Sequence, residues 1–289
     1  MVNPQFHHIP VLAAQVASGL AIQPGGHYLD ATLGGGGHSE YILATYPDVQ
    51  VTAIDRDAEA IAHVRSRLGS MAGRLHLWQG NFADYQPLGQ QFHGIVADLG
   101  VSSHQLDQGD RGFSFRQPAP LDMRMDQQQE LTAATIINHW PEQRLADLFY
   151  EYGEERFSRR IAKAISQNRP LWDTIALAEL ISRSVPPAYR YGRIHPATRT
   201  FQALRIAVNQ ELTSLEKLLH LAPQWLYPGG RLVVISFHSL EDRIVKQSLR
   251  GDSRWQIITK KPVVPTAAEV KANGRARSAK LRVAQWSGL

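Results

Sequence analysis

The stretch His-Tyr-Leu-Asp-Ala-Thr-Leu-Gly-Gly-Gly-Gly-His, residues 27–38, constrains the fold more than any other part of the chain. Residues 28–33 predict a short buried strand with Asp30 near its carboxyl end. Residues 34–37 cannot continue that strand, because consecutive glycines favour turns and let a ligand approach bare backbone. Residues 39–44 then predict the start of a helix. A strand, a glycine loop and a helix open nucleotide-binding α/β folds, with the ligand at the carboxyl end of the strand.

Acidic residues end two further predicted strands. Residues 49–54 are apolar and β-branched and lead into Asp55, and residues 94–97 lead into Asp98. An acid at the tip of the second strand, about 20 residues after the glycines, holds a ribose diol in such folds. A glycine loop alone is equally compatible with a turn that binds nothing. The two acids favour a binding crevice at one edge of a parallel sheet.

The residues around the glycine loop exclude several nucleotides. No Lys-Ser/Thr pair follows the loop, so a triphosphate site is not predicted. The spacing is not G-x-G-x-x-G, and His38 stands where a dinucleotide fold needs a small residue. An adenosine ligand without a pyrophosphate remains, and S-adenosylmethionine fits, with its amino-acid part along the glycines, its ribose at Asp55 and its adenine near the next strand end. A dinucleotide-dependent oxidoreductase stays open as a rival.

The strand pattern stops in the middle of the chain and later resumes. Between residues 106 and 200 apolar residues recur at helical spacing, which predicts helices without a sheet strand. A single long helix is predicted over 200–221, a turn over 227–230, a strand over 231–236 and a terminal strand pair over 255–259 and 281–285. Between the paired strands, residues 262–278 are polar and basic and are predicted as an exposed loop. The predicted fold is therefore α/β: a discontinuous Rossmann-like sheet domain, residues 1–105 and 201–289, with an inserted helical domain, residues 106–200.

Composition narrows the function classes. The 289 residues include no cysteine, which excludes disulfides, thiolate nucleophiles and iron–sulfur clusters. No signal peptide and no apolar run of about 18 to 20 residues is visible, so we expect a cytoplasmic protein with no membrane partner. The net charge is +5, and from Arg243 onward Asp252 and Glu269 are the only acids among many basic residues. This balance indicates a polyanionic partner.

Nine motifs together resemble one protein family. They are His8-Ile-Pro-Val-Leu12, Gly34-Gly-Gly-Gly-His-Ser39, Asp55-Arg-Asp57, Asp98-Leu-Gly-Val-Ser-Ser103, Arg111-Gly-Phe-Ser-Phe115, Leu121-Asp-Met-Arg-Met-Asp126, Tyr152-Gly-Glu-Glu-Arg-Phe157, His195-Pro-Ala-Thr-Arg-Thr-Phe-Gln202 and Ser236-Phe-His-Ser-Leu-Glu-Asp-Arg243. In this order they resemble the bacterial RsmH (MraW) family. Its members use S-adenosylmethionine to methylate N4 of a cytosine in the decoding centre, at the P site, of 16S ribosomal RNA. The resemblance covers nearly the whole chain and implies the same activity. It also implies that the sheet domain is a Rossmann-like S-adenosylmethionine-dependent methyltransferase domain and that the inserted helical domain recognises the substrate.

The resemblance also implies the site residues. The implied cofactor contacts are Gly36, Gly37, His38, Asp55, Phe82, Asp98 and Gln105. The predicted partner is 16S rRNA or the small ribosomal subunit, and a homodimer is left open. Many amino-group methyltransferases carry an acid-Pro-Pro-aromatic motif where this chain has Asp98-Leu-Gly-Val, so their mechanism does not transfer whole. The segment between residues 255 and 278 looks shorter than in several relatives, which leaves RNA contacts there open.

Residue chemistry adds candidates for the reaction and for RNA. Asp98 is the candidate acceptor for the proton or hydrogen bonds of the target amino group, although a structural role stays open. The candidate RNA contacts are Arg111, Arg116, His195, Arg199 and the basic residues of 260–282. His238 is interpreted as a structural histidine. No His/Asp/Glu set has the spacing of a metal site. A non-enzymatic RNA-binding protein that uses S-adenosylmethionine structurally is the second rival.

Overall fold

The computed structural model describes residues 10–102, 105–106 and 109–288. The residues before position 10, which include the first part of the His8-Ile-Pro-Val-Leu12 motif, and Ser103 lie outside the described residues. Two compact units divide the chain: Met1–Val101 with Leu212–Leu289, and Ser102–Glu211. We call them the sheet unit and the helical unit. Within the described ranges, no helix is both long enough and apolar enough to cross a membrane.

A seven-stranded sheet forms the centre of the sheet unit. Its strands are β1 His27–Asp30, β2 Gln50–Asp55, β3 Leu75–Gln79, β4 Phe92–Asp98, β5 Leu226–Ser236, β6 Trp255–Ile257 and β7 Lys280–Trp286. Their order is β3-β2-β1-β4-β5-β7-β6, with β1 to β5 parallel and β7 antiparallel to both of its neighbours. The predicted Rossmann-like α/β fold and its terminal strand pair are confirmed.

Helices cover both faces of this sheet. They are α1 Ala13–Leu20, α2 Gly37–Thr45, α3 Ala58–Arg67, α10 Glu211–Trp225 and α11 Ser239–Gly251, and a short helix, α12 Ala267–Ala272, lies in the C-terminal segment. One core contains buried residues of β1, β2 and β4 with residues of α1, α2 and α3, and a second contains residues of the same strands with α10 and α11. Alternate strand residues serve the two cores, as the period of two in a strand requires. Both faces are buried, which explains why the strands read as continuous apolar runs.

Residues 227–230 were predicted as a turn before the fifth strand, but they lie inside β5. The pairing of β4 with β5 runs from Phe92↔Leu226 directly to Gly94↔Arg231, so the Tyr-Pro-Gly-Gly residues bulge out between the two pairs. A bulge keeps both ends of a strand in one ladder while the extra residues leave it. Residues 227–230 therefore do leave the regular ladder, as predicted, but the strand begins at Leu226 and not at residue 231.

The helical unit contains no strand of the sheet in its described part. Its helices are α4 Ala133–His139, α5 Glu142–Glu151, α6 Ser158–Gln167, α7 Thr174–Ser184, α8 Pro187–Arg190 and α9 Ala197–Asn209. Leu145, Phe149, Ile161, Ile165 and Ile181 are fully buried and stand at the predicted helical spacing. Helical periodicity does not predict α8, because its four residues are too few to show a repeat.

The single long helix predicted over 200–221 is wrong. It is broken at Gln210, whose φ of 50° is left-handed, and α9 and α10 lie on either side. Asn209 is 1% exposed and fixes this break: its amide nitrogen donates to the carbonyls of Met123 and Arg205, and its amide oxygen accepts from the N–H of Met125. These bonds tie α9 to the helical unit, so the unit boundary lies at residue 211 rather than at 200.

Candidate active site

Three acids lie at neighbouring strand ends of the sheet unit. The strand β1 lies between β2 and β4, and Asp30 is paired in register with Ala53 on one side and Val96 on the other. Asp30 and Asp55 end β1 and β2, and Asp98 ends β4. Because parallel strands end at a common edge, the three carboxylates belong to one edge of the sheet.

The glycine loop follows β1 at this edge with backbone angles that favour glycine. Gly34 and Gly36 have φ of 49° and 76°. A Cβ at Gly36 would lie 2.9 Å from a methyl of Val64, whereas a Cβ at Gly35 would meet nothing within 4 Å. The loop therefore packs closely on α3 at Gly36 and leaves bare backbone open at Gly35.

Asp55 ties the end of β2 to the glycine loop. Its Oδ2 accepts the N–H of Gly34 at 2.7 Å, and its Oδ1 accepts the N–H of Asp57 at 2.8 Å. Burial raises the pKa of Asp55 to about 6, although both N–H bonds oppose the shift. A carboxylate with this pKa is ionised at neutral pH and can still accept from further donors, such as a ribose diol, because each oxygen has a second lone pair.

A chain of polar contacts joins the ends of β1 and β4 through α2. His38 Nε2 lies 3.3 Å from Asp98 Oδ2. Ser39 Oγ donates to Asp30 Oδ2 at 2.7 Å, and Thr32 Oγ1 accepts the N–H of Asp98 at 2.6 Å. Burial lowers the pKa of His38, but Asp98 and Asp30 outweigh it, so the net shift is upward. Burial raises the pKa of Asp30. His38 and Asp30 therefore hold their protons more firmly than isolated side chains would.

Two buried polar atoms of this group have no hydrogen-bond partner among the described residues: Asp98 Oδ1 and His38 Nε2, the latter close to Asp98 Oδ2 but poorly aligned with it. A buried acceptor without a donor is costly unless a ligand supplies one. S-adenosylmethionine carries an ammonium group for such a carboxylate, a diol for Asp55 and a carboxylate for open loop backbone. The residues at this edge therefore fit the predicted cofactor.

Phe82 follows β3 on the same side as Asp55. The backbone N–H of Gly80 donates to the carbonyl of Asp55 at 2.8 Å, so the loop after β3 is tied to the end of β2. Asn81 caps the single turn Phe82–Asp84, and its amide nitrogen donates to Ser214 Oγ at 2.9 Å. Phe82 is half-buried against the core and leaves part of its side chain open at the edge where an adenine is predicted.

Gln105, the seventh predicted cofactor contact, belongs to the helical unit. It is 4% exposed, and it exchanges bonds with Ser102: the N–H of Ser102 donates to its Oε1 at 3.1 Å, and its own N–H donates to Ser102 Oγ at 3.2 Å. The structure therefore brings six of the seven predicted cofactor residues to one edge of the sheet unit and places Gln105 in a local turn of the other unit.

The four candidate RNA contacts of the helical unit differ in exposure. Arg111 is 4% exposed and donates to the carbonyls of Arg124 and Met125, so its guanidinium holds a loop together. Arg116 is exposed. Arg199 is partly exposed and donates to the carbonyl of Glu154 at 3.0 Å. Arg111 is thus poorly placed for a phosphate, and Arg116 and Arg199 remain candidates.

His195 is exposed, and its ring makes two contacts within the helical unit. Its Nδ1 accepts the N–H of Ala197 at 3.2 Å, and its ring lies against Phe115 with centroids 4.7 Å apart and planes tilted by 34°. Partial burial lowers its pKa. A fixed aromatic ring with one side open suits stacking by an unpaired base. Tyr191 and Arg193, four and two residues before it, are also exposed.

The basic C-terminal residues also differ in exposure, since some are buried in ion pairs and others are exposed. Arg282 is 8% exposed and pairs with Asp242 at 2.7 Å, and Lys280 contacts the same carboxylate at 3.2 Å. The exposed basic residues of 260–282 are Lys260, Lys261, Lys271, Arg275 and Arg277. His238 begins α11 as its N-cap, with Nδ1 3.4 Å from the N–H of Glu241, which agrees with a structural role.

Residues that sequence reasoning did not assign also build this edge. Asp30 was noted only as a strand end, and Ser39 and Thr32 were not considered. Arg67 from α3 donates to the carbonyl of Gly35 at 2.6 Å and pairs with Glu40. The alternation around Asp30 could have indicated a buried carboxylate in need of donors, whereas no local pattern connects Arg67 with the glycines.

The sequence is similar to known proteins over almost the whole chain. The profile of the MraW methylase family matches residues 5–287. Ribosomal RNA small subunit methyltransferase H of Rippkaea orientalis is 62% identical over 284 residues, which are 98% of this chain and 93% of that protein. The protein of the same name from Gloeothece citriformis is 63% identical over 281 residues, 97% of this chain and 94% of that protein.

Solved structures resemble the chain more remotely. A putative rRNA methylase from Clostridium thermocellum is 12% identical with a TM-score of 0.49, and the match covers 96% of this chain and 99% of that one. A putative methyltransferase from Streptococcus mutans, in complex with SAH, is 10% identical with a TM-score of 0.46, and the match covers 96% of this chain and 99% of that one.

Proposed function

The chain belongs to the MraW methylase family, and from this premise we propose that it methylates N4 of a cytosine in the decoding centre, at the P site, of 16S rRNA. The observation that carries the proposal is the identity of about 60% with small-subunit rRNA methyltransferases along 97 to 98% of the chain. The cofactor is S-adenosylmethionine. The proposal implies the cytoplasm, where small subunits assemble, as the site of action.

Bound S-adenosylmethionine supplies a methyl group on a sulfonium, already activated for an in-line displacement. The chain has to bind it, orient it and accept protons. Six residues are proposed for binding at the sheet edge: Gly36, Gly37, His38, Asp55, Phe82 and Asp98. Gln105 is proposed as a further cofactor contact on the strength of the family resemblance. The Asp55 carboxylate accepts from the ribose, and the glycine loop offers backbone without side chains.

Asp98 is proposed to serve the target amino group as well as the cofactor. The exocyclic nitrogen of cytosine is a poor nucleophile because its lone pair is delocalised into the ring. An acceptor for its hydrogens favours the pyramidal nitrogen that attacks, and one proton must leave once the new bond forms. Asp98 Oδ2 is held beside His38 while Oδ1 is buried and unpartnered among the described residues. Oδ1 is therefore the atom proposed to accept.

The helical unit is proposed to bind RNA through rigid aromatic and cationic groups. Arg116 and Arg199 supply charge for phosphates, and His195 on Phe115 supplies a surface on which an unpaired base can stack. The target base has to leave its stack to reach the methyl donor, so unpaired RNA is the expected substrate. The exposed residues of 260–277 are further candidates for phosphates.

Methyl incorporation into small ribosomal subunits that lack the modification tests the activity. Radiolabelled S-adenosylmethionine should label 16S rRNA, and nucleoside analysis should find the label in N4-methylcytidine. Asp98→Asn should lower the rate by about 10² to 10⁴-fold if Oδ1 takes the proton. Label in another base would refute the N4 assignment, and SAH binding without any transfer would favour the non-enzymatic rival.

Charge reversal separates RNA contacts from cofactor contacts. Arg116→Glu and Arg199→Glu should each lower the slope of log affinity for particles against log salt by roughly 0.7 to 0.9 per lost phosphate contact, with SAH affinity unchanged. Equal losses of particle and SAH affinity would show that these arginines stabilise the fold and that the RNA binds elsewhere.

A further inference from the structure

The glycine loop is held from outside by a proline near the beginning of the described chain. A Cβ at Gly37 would lie 3.1 Å from Pro10 Cβ and 3.4 Å from its Cγ and Cδ, so the proline ring packs directly against the backbone of Gly37. The conformation of residues 10–12, which we call the lead-in, therefore bears on the shape of the glycine loop.

The lead-in has a conformation that its own residues do not favour. Leu12 is 1% exposed and has φ 55° and ψ 34°, in the left-handed region that is unfavourable for any residue other than glycine. It is the N-cap of α1 and makes no capping bond with its side chain. Its N–H instead donates to Oε1 of Glu269 at 2.8 Å, across 257 positions of the sequence. A hydrogen bond to an ionised carboxylate is among the stronger ones in a protein.

Glu269 is well placed to hold the lead-in, because its own segment is docked. It lies in the first turn of α12, where Thr266 Oγ1 accepts its N–H at 3.2 Å. Val263 and Leu281 close the base of the segment with two backbone bonds of 2.9 and 2.8 Å. Ala276 and Ala279 are buried in the same core as Leu12. The stretch predicted as an exposed basic loop thus packs on the face of the sheet unit that carries the lead-in.

We propose that Glu269 is a positioning residue for the cofactor site: through Leu12 it keeps Pro10 against Gly37, so that the glycine loop is shaped for the amino-acid end of S-adenosylmethionine. Glu269 itself does not touch the cofactor in this proposal. Loss of its bond lowers the population of the ordered lead-in, and the apparent affinity falls by the same fraction. The proposal rests on the cofactor alone and is independent of the RNA substrate.

Two ligands and three variants test it by calorimetry. SAH carries the amino-acid end, and 5′-methylthioadenosine lacks it. Glu269→Ala should weaken SAH binding about three- to tenfold and leave methylthioadenosine binding within about twofold. Glu269→Gln keeps an oxygen acceptor and should bind both ligands within about twofold of the wild type. Ala268→Ser, an exposed change on the same helix, should leave both affinities unchanged.

Hydrogen exchange of the Leu12 amide gives a second readout in the unmodified protein. Because coupling is reciprocal, SAH should slow this exchange and methylthioadenosine should slow it much less. Equal weakening of both ligands by Glu269→Ala would reduce Glu269 to a structural residue. An unchanged SAH affinity beside faster Leu12 exchange would separate the lead-in from the site. If Glu269→Gln bound SAH as weakly as Glu269→Ala, the role of the hydrogen bond would be refuted. If SAH did not change the exchange rate of the Leu12 amide in the wild type, the whole proposal would be refuted.

Discussion

Acidification should weaken cofactor binding through one residue, Asp55. Both oxygens of this carboxylate accept backbone N–H bonds, from Gly34 and Asp57, and burial raises its pKa to about 6. A ribose diol donates to the ionised form, whereas a protonated carboxyl has lost part of its accepting capacity. Below pH 6 a growing fraction of the protein therefore has to release a proton before the ribose binds well.

The size of the effect follows from the pKa of about 6. The apparent dissociation constant is multiplied by about 1.1 at pH 7 and by about 11 at pH 5, a tenfold loss or about 1.4 kcal/mol. The sign for the unliganded protein is opposite. A carboxyl whose folded pKa is raised stabilises the fold below its unfolded pKa of about 4, and this contribution is lost as the pH rises through 6. Ligand affinity and unliganded stability should therefore move in opposite directions.

The assay is calorimetry from pH 7.5 to pH 5 with SAH and with 5′-methylthioadenosine. The second ligand lacks the amine and the carboxylate, so a pH dependence that both ligands share reports on the ribose end. Asp55→Asn should lose about 1.5 to 3 kcal/mol of affinity at pH 7.5 and should bind with a flatter pH profile. Asp48→Asn is the matched control, because Asp48 is exposed and bonds Gly25 at the opposite edge of the sheet.

Two results would refute this reasoning. A wild-type affinity for methylthioadenosine that stays flat between pH 7.5 and pH 5 would show that Asp55 does not titrate in that range or does not hold the ribose. A pH slope that persists in Asp55→Asn would assign the titration to another group, and His38 with its two carboxylates would be the first to examine.

Three further changes should act on stability rather than on the cofactor. Burial, with His76 and His93, lowers the pKa of His27 to about 4. The free energy of unfolding therefore has its full value above the unfolded pKa of 6.5 and should fall as the pH drops from 6.5 to 4. In thermal melts, His27→Gln should lose less stability over this pH range than the wild type, and an equal loss would contradict the assignment. Asn209→Ala leaves buried backbone groups unpaired and should cost about 2 to 3 kcal/mol by urea unfolding; a cost near zero would show that the break after α9 does not need these bonds. Gly153→Ala places a Cβ 2.6 Å from the Phe149 carbonyl oxygen and should destabilise the helical unit by about 1 to 3 kcal/mol without changing the affinity for SAH. An unchanged melting temperature would contradict this prediction.

The strand ends that carry the cofactor site could be predicted because each is encoded locally. Four glycines cannot continue a strand, and a run of β-branched residues that stops at Asp55 or Asp98 marks both a strand and its end. Parallel pairing then brings those ends to one edge regardless of the details of packing. The sequence alone therefore sufficed for the fold class and for placing the glycine loop, Asp55 and Asp98 at strand ends, whereas the other proposed cofactor contacts rest on the family resemblance.

Tertiary structure decided the features that depend on distant partners. Helical periodicity is the same for one helix or two, so the break at Gln210 depends on Asn209 bonding to residues more than 80 positions away. A loop arginine is usually solvated, yet Arg111 is buried because two backbone carbonyls accept hydrogen bonds from its guanidinium. A polar basic stretch reads as an exposed loop until Glu269 is found on the N–H of Leu12. In each case the local sequence is compatible with several conformations. The free energy of a contact between residues distant in the sequence, which forms only in the folded protein, selects one of them.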